Sequence, residues 1–106
     1  MLDKIGRFFG LASKTDYPQL LKEGAVIIDV RSEGEYVSGH IKGSINAPVD
    51  NVLKFVSKIA KNKPIITCCA SGMRSAMAKN TLKANGFTRV YNGGSWTGLQ
   101  KKLNQQ

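Results

Sequence analysis

Ile65-Ile66-Thr67-Cys68-Cys69-Ala70-Ser71-Gly72-Met73-Arg74-Ser75 is the stretch on which the reading of this chain turns. The β-branched run Ile65-Ile66-Thr67 predicts a strand, and the strand ends in a cysteine. Small residues follow, then Arg74, and a helical pattern opens at Ser75. This is a strand, a tight loop and a helix N-terminus, with a thiol at the mouth of the loop. Successive N–H groups in such a loop converge on one point and form a nest for an anion. The helix behind adds unpaired donors and the positive end of its dipole. A cysteine held there favours the thiolate, which is the nucleophile, and titrates roughly one to five units below the ~8.5 of a free thiol.

Outward from this stretch, strands and helices alternate. Ala25 to Val30 and Pro64 to Cys69 are continuous apolar runs, which suit strands covered on both faces. Thr88 to Tyr91 is a third candidate strand and Ser44 to Ala47 a short fourth. Asp16 is placed to cap a helix that carries Pro18, Leu20 and Leu21. Ser32 and Glu35 have the capping-box spacing and open a short helix to about Ser38. Asp50 precedes Val52, Leu53, Phe55, Val56, Ile59 and Ala60, which read as one wide helical face. The helix from Ser75 passes through Met77, Ala78 and Leu82 and stops at Asn85-Gly86. Ser95 opens the last helix, with Trp96, Leu99 and Leu103 on one side. The alternation predicts an α/β domain with a mainly parallel central sheet, whose ligands bind outside the carboxyl ends of the strands.

Composition sets bounds. A chain of 106 residues fits one domain, and at this size folding buries roughly 60–70% of the unfolded surface without staples. Cys68 and Cys69 are adjacent, too close for an ordinary disulfide, so both read as free thiols and the expected compartment is the cytoplasm. No run reaches the roughly 20 apolar residues of a membrane span, and Phe8 to Ala12 is too short for the apolar core of a signal peptide. The formal net charge of +9 favours anionic partners. The lysines are scattered rather than blocked, so no nucleic-acid partner is expected. Residues 1–13 form a separate amphipathic segment ahead of a domain over 14–106, with Leu2, Ile5, Phe8, Phe9 and Ala12 at helical spacing. That segment folds onto the domain, meets a partner or second copy, or lies on an anionic membrane, which is the weakest of the three readings.

Three ordered motifs carry a resemblance. They are Asp29-Val30-Arg31 with Glu35-Tyr36 and Gly39-His40-Ile41-Lys42-Gly43-Ser44-Ile45-Asn46-Ala47-Pro48; Cys69-x-x-Gly72-x-Arg74-Ser75; and Gly93-Gly94 followed by Trp96. From about Asp16 to Leu103 the chain resembles the rhodanese family of single-domain sulfurtransferases. The resemblance implies the rhodanese-like fold, with helices on both faces of the sheet and the loop at the strands' carboxyl ends. It implies that His40, the only histidine and an obvious candidate base, is structural. Asp29 and Arg31 likewise read as scaffold.

The candidate nucleophile is Cys69. The candidate substrate-binding residues are Ala70, Ser71, Gly72, Met73, Arg74 and Ser75, with loop N–H groups supplying most of the contact, because Ala70, Ser71 and Met73 bear no charge. Cys68 alternates to the opposite face and reads as packing. Arg74 pairs with Asp29 or Glu35, or else faces the bound anion; the pairing is the favoured reading.

The expected reaction is transfer of a sulfane sulfur from thiosulfate or a persulfide, through a Cys69 persulfide, to a thiol, cyanide or a sulfur-acceptor protein, with no metal or organic cofactor. Two rival readings stand beside it. One is a non-enzymatic sulfur-carrier or protein-interaction module. The other is a phosphatase or arsenate reductase. Enzymes of that kind place five residues between cysteine and arginine, where this chain has Ala70, Ser71, Gly72 and Met73, so its loop encloses a smaller anion.

Overall fold

The computed structural model describes residues 14–104; the amphipathic segment expected over 1–13 lies outside them. Asp16 caps the first helix, α1 (Tyr17–Lys22), its side chain accepting the Gln19 N–H at 3.0 Å, with Pro18 in the first turn. Strand β1 (Val26–Asp29) follows. Helix α2 (Glu33–Ser38) opens with the complete capping box: Ser32 Oγ accepts the Glu35 N–H, and Glu35 accepts the Ser32 N–H. After β2 (Ile45–Asn46) come a 3₁₀ turn (Val49–Asn51), a short helix α3 (Val52–Phe55), strand β3 (Ile65–Cys69), helix α4 (Met73–Ala84), strand β4 (Val90–Ser95) and helix α5 (Trp96–Leu103).

The four strands run parallel in the order β2-β1-β3-β4. Strand pleating assigns the core to two layers. On one face Ile28, Ile65 and Cys69 pack with Val52, Val56, Ala78 and Leu82 from α3, α4 and the turn after α3. On the other, Ile27, Ile66 and Cys68 pack with Tyr17, Leu20 and Leu99 from α1 and α5. Helices therefore cover both faces, as the resemblance implied, and the two adjacent cysteines lie in different layers.

Three expectations are corrected. The wide helical face after Asp50 is a 3₁₀ turn and one short helix, and Asp50 caps neither: Pro48 and Asn51 stand at the two N-caps. Val56 leaves helical geometry and is buried from a turn instead, as Val49, Val52, Val56 and Ile59 are β-branched and gain little from helix. Helix α4 begins at Met73 rather than Ser75, because Gly72 takes φ +105° and serves as its N-cap. The strand expected over Thr88 to Tyr91 is β4, which starts at Val90 and runs on through Gly93-Gly94 to Ser95.

Gly93 has a steric reason to lie in that strand. A Cβ there would stand 2.9 Å from the Thr67 carbonyl oxygen and 3.0 Å from side-chain carbons of Ile66 and Leu99. The missing side chain lets β4 close on β3, with a register irregularity between Thr67 and Cys69. Gly93→Ala is expected to cost about 1–3 kcal/mol, read as a lower urea midpoint at unchanged slope. Gly34→Ala, in α2 with nothing within 4 Å of the added carbon, is expected to hold or raise the midpoint.

Candidate active site

The strand places the candidate nucleophile and the helix finishes the site. Cys69 is the last residue of β3 and is fully buried on the α4 face. Its Sγ lies 2.9 Å from the Gly72 N and 3.4 Å from the Ser75 N, both of which donate to it, and 3.6 Å from the Ser75 hydroxyl. Two features create this convergence. Gly72 at positive φ turns the chain back over the sulfur. Ser75, in the first turn of α4, has an N–H with no partner inside the helix.

Electrostatics sorts the two cysteines. Burial pushes the Cys69 thiol up, but the Ser75 hydroxyl and the N–H groups of Ser75, Gly72 and Ser71 outweigh it, so the group titrates below its ordinary value. Cys68, one residue earlier, is pushed up to about 12 by burial and by the nearby Asp29 charge. Only Cys69 is poised to be a thiolate.

The Ser75 hydroxyl has one proton and three neighbours. Asn92 Oδ1 lies at 2.5 Å, the Gly72 carbonyl at 3.0 Å and Cys69 Sγ at 3.6 Å. The thiol Sγ–H donates to Ser75 Oγ, and the same hydroxyl, donated to the sulfur, would stabilise the thiolate. Asn92 holds this arrangement. Its Oδ1 also accepts the Gly94 N–H at 2.9 Å, its Nδ2 donates to the Gly72 carbonyl at 3.3 Å, and its carbonyl accepts the Tyr17 hydroxyl at 3.1 Å. Sequence reasoning missed Asn92, because Asn-Gly reads as a turn; its place at the carboxyl end of a strand was the available signal.

Arg74 makes the ion pair with Glu35, at 2.7 Å (Nη1–Oε1) and 3.1 Å (Nη2–Oε2). Asp29, the alternative, is taken by Arg31 at 2.7–3.1 Å. Arg31 also donates to the carbonyls of Gly39 and Glu35 and lies over the Trp96 ring. Of the remaining loop residues, Ala70, Ser71 and Met73 form the exposed rim, and the Ser71 N–H adds to the donors that favour the Cys69 thiolate. His40 is exposed, stacks on Tyr36 and places Nδ1 2.7 Å from the Tyr36 carbonyl. No hydrogen bond joins it to the loop among the described residues, nor does any cluster of three or more His, Cys, Asp or Glu assemble there to hold a metal. No described helix is long and apolar enough to cross a membrane.

The sequence and the fold both match known proteins. A family model described as the rhodanese-like domain matches residues 13–102, and the chain belongs to that family. It is similar to the thiosulfate sulfurtransferase GlpE of Pseudomonas fluorescens, with 34% identity over 77 residues, covering 72% of this chain and 71% of that protein. It is also similar to the putative sulfur carrier protein YrkF of Bacillus subtilis, with 40% identity over 70 residues, covering 66% of this chain and 38% of the relative. Among solved structures, a rhodanese with anions from E. coli superposes at a TM-score of 0.66 with 32% identity, covering 70% of this chain and 89% of its own. The chain spans about half of the length of the Bacillus subtilis protein YqhL, to which it is 38% identical over 68 residues, and 38% of YrkF.

Two measurements probe the site. Ser75→Ala is expected to raise the midpoint of the Cys69 thiolate absorbance, because the thiolate loses a hydrogen bond to the hydroxyl. His40→Ala is expected to leave that midpoint in place; a midpoint that moves with His40 would implicate it as a base. Separately, Arg74 and the Ser32 donors hold the Glu35 carboxyl well below its ordinary 4.5, at about 2. A lowered folded-state value means that the carboxylate adds stability above the unfolded value, which is lost as the carboxylate is protonated. The melting temperature should therefore fall between pH 4.5 and about pH 2, and Glu35→Gln should flatten that portion of the profile.

Proposed function

We propose that this chain is a sulfurtransferase that carries a sulfane sulfur on Cys69. The observation behind this reading is the convergence of the Gly72 and Ser75 N–H groups and the Ser75 hydroxyl on a thiol that titrates below its ordinary value. The thiolate attacks the outer sulfur of thiosulfate or of a persulfide. The S–S bond of the donor breaks, and sulfite or a thiolate leaves with the electron pair. The product is a Cys69 persulfide whose terminal anion keeps the loop donors. A second nucleophile, cyanide or a thiol, attacks that terminal sulfur and returns Cys69 as thiolate.

The loop's part is electrostatic. Fixed N–H dipoles hold negative charge on sulfur in the free enzyme, in the persulfide and on the departing group, with no reorganisation at each step. Ala70, Ser71, Gly72, Met73, Arg74 and Ser75 bind the donor chiefly through backbone, and Arg74 sets the loop's shape through Glu35. The short loop between Cys69 and Arg74 favours sulfur over a phosphoryl group. The similarity to a protein named for thiosulfate sulfur transfer and to another named as a putative sulfur carrier supports sulfur as the cargo.

Intact mass provides the test. Incubation with thiosulfate is expected to add one sulfur, about 32 Da by atomic mass, at Cys69. Cys69→Ser should abolish both the adduct and transfer to cyanide, while Cys68→Ala retains them. A fully active Cys69→Ser protein, or hydrolysis of aryl phosphates at a comparable rate, would falsify the assignment.

A further inference from the structure

Cys69 is fully buried, so a reaction partner approaches it through the loop rim, and the residues around that rim select the partner. Two of them are exposed apolar side chains on the first two turns of α4. Met73 is 75% exposed and Met77, one turn on, is 58% exposed. Residues four apart share a helix face, so the two methionines form one ridge that starts at the mouth of the loop. Cations are carried on the same helix and on its neighbour. Lys79 and Lys83 lie further along α4, and Lys54 of α3 lines a shallow depression with Asp50, with Thr81 of α4 and with Leu53, itself partly exposed.

The cations are of one kind. Every arginine among the described residues is paired with a carboxylate: Arg31 with Asp29, Arg74 with Glu35 and Arg89 with Glu23. Among the described residues, the positive charge outside these three pairs is carried by lysines. Lysine is a strongly hydrated point charge suited to long-range attraction, whereas readout of phosphate in a fork is the work of arginine. Methionine is unbranched and polarizable, and it suits contacts that form and part with varied apolar groups. An apolar ridge inside a lysine field, on a chain of net charge +9, complements an acidic protein surface with an apolar centre more closely than it does a nucleic acid.

We propose that Met73 and Met77, with Lys54, Lys79 and Lys83 around them, form the docking surface for an acidic protein partner whose reactive cysteine, as thiol or persulfide, sits among apolar side chains. The proposal rests on the sulfur-transfer reading for its purpose, but the surface is testable without turnover. Apolar contact on the ridge would bring the partner's sulfur over the loop, while the lysines speed encounter and make it sensitive to salt.

The test uses two thiol peptides of equal length. In one the cysteine stands between leucines and glutamates; in the other it stands between glycines and serines. Binding is read by fluorescence anisotropy on the Cys69→Ser protein, where no sulfur moves. The acidic apolar peptide is expected to bind at least about tenfold more tightly than the neutral one, and to lose that advantage as salt rises. Met77→Asp and the double variant Lys79→Glu/Lys83→Glu should each remove about tenfold of its affinity. These side chains lie outside the core, and a thermal melt confirms that the variants remain folded. Equal binding of the two peptides, or Met77→Asp without effect, overturns the proposal. So does a single-stranded RNA that binds more tightly than the acidic peptide and competes it off. Loss of sulfur transfer to cyanide in the unaltered protein, with peptide binding intact, would instead overturn the sulfur-transfer reading and leave the surface standing.

Discussion

The buried pair of Asp29 and Arg31 is the constraint from which the site is assembled. Asp29 closes β1 with no exposed surface and accepts from both Nε and Nη2 of Arg31. The guanidinium then reaches the carbonyl of Glu35 within α2 and that of Gly39 at its C-cap, and lies over Trp96 at the start of α5. Asn46 of β2 donates to the carbonyls of Asp29 and Arg31 and brings the edge strand into the same knot. Removing one partner would leave an uncompensated buried charge, a change that typically costs about 3–5 kcal/mol. The knot also fixes where Glu35 stands, and Glu35 takes Arg74 in two hydrogen bonds. A buried pair at the end of one strand thus sets the position of a loop at the end of the next.

Within that frame the loop manages charge without a formal cation at the sulfur. The nearest arginine is committed to Glu35, and the groups touching Sγ are neutral: two N–H donors and a hydroxyl. The contrast with Cys68 shows what such dipoles accomplish. Both thiols are buried and adjacent, yet one titrates low and the other is pushed up to about 12. Burial opposes ionisation in both, and only Cys69 has donors aimed at it. The same donors suit a persulfide, whose charge sits one atom further out.

Much of this was legible in the residues. The apolar run from Ile65 and the cysteine at its end placed the strand and the nucleophile candidate. The Ser32 to Glu35 spacing gave a capping box that forms as read. The Ser95 N-cap and the first helix's Asp16 cap hold as well. These are local signals, in which a side chain answers its own backbone within a turn. The failures are equally physical. Val52 to Ala60 has a helical period, but the helix stops at Phe55 and Val56 is buried from the turn that follows. The strand read as ending at Tyr91 continues to Ser95, because Gly93, without a side chain, fits against Thr67.

What the sequence alone determined is the set of short-range facts: the strand–loop–helix unit, the caps, the alternation that sends Cys68 and Cys69 to opposite faces, and the parallel α/β class. What only the tertiary structure decided are the pairings across long separations. Arg74 chose Glu35 over Asp29, Ser75 found Asn92, and Tyr17 reached the Asn92 carbonyl across most of the chain. The reason lies in the range of the forces. Propensity, capping and pleat act within a few residues and leave a pattern in the string. A choice between two distant acids depends on which of them is already taken by Arg31, and that is settled only when the strands are side by side.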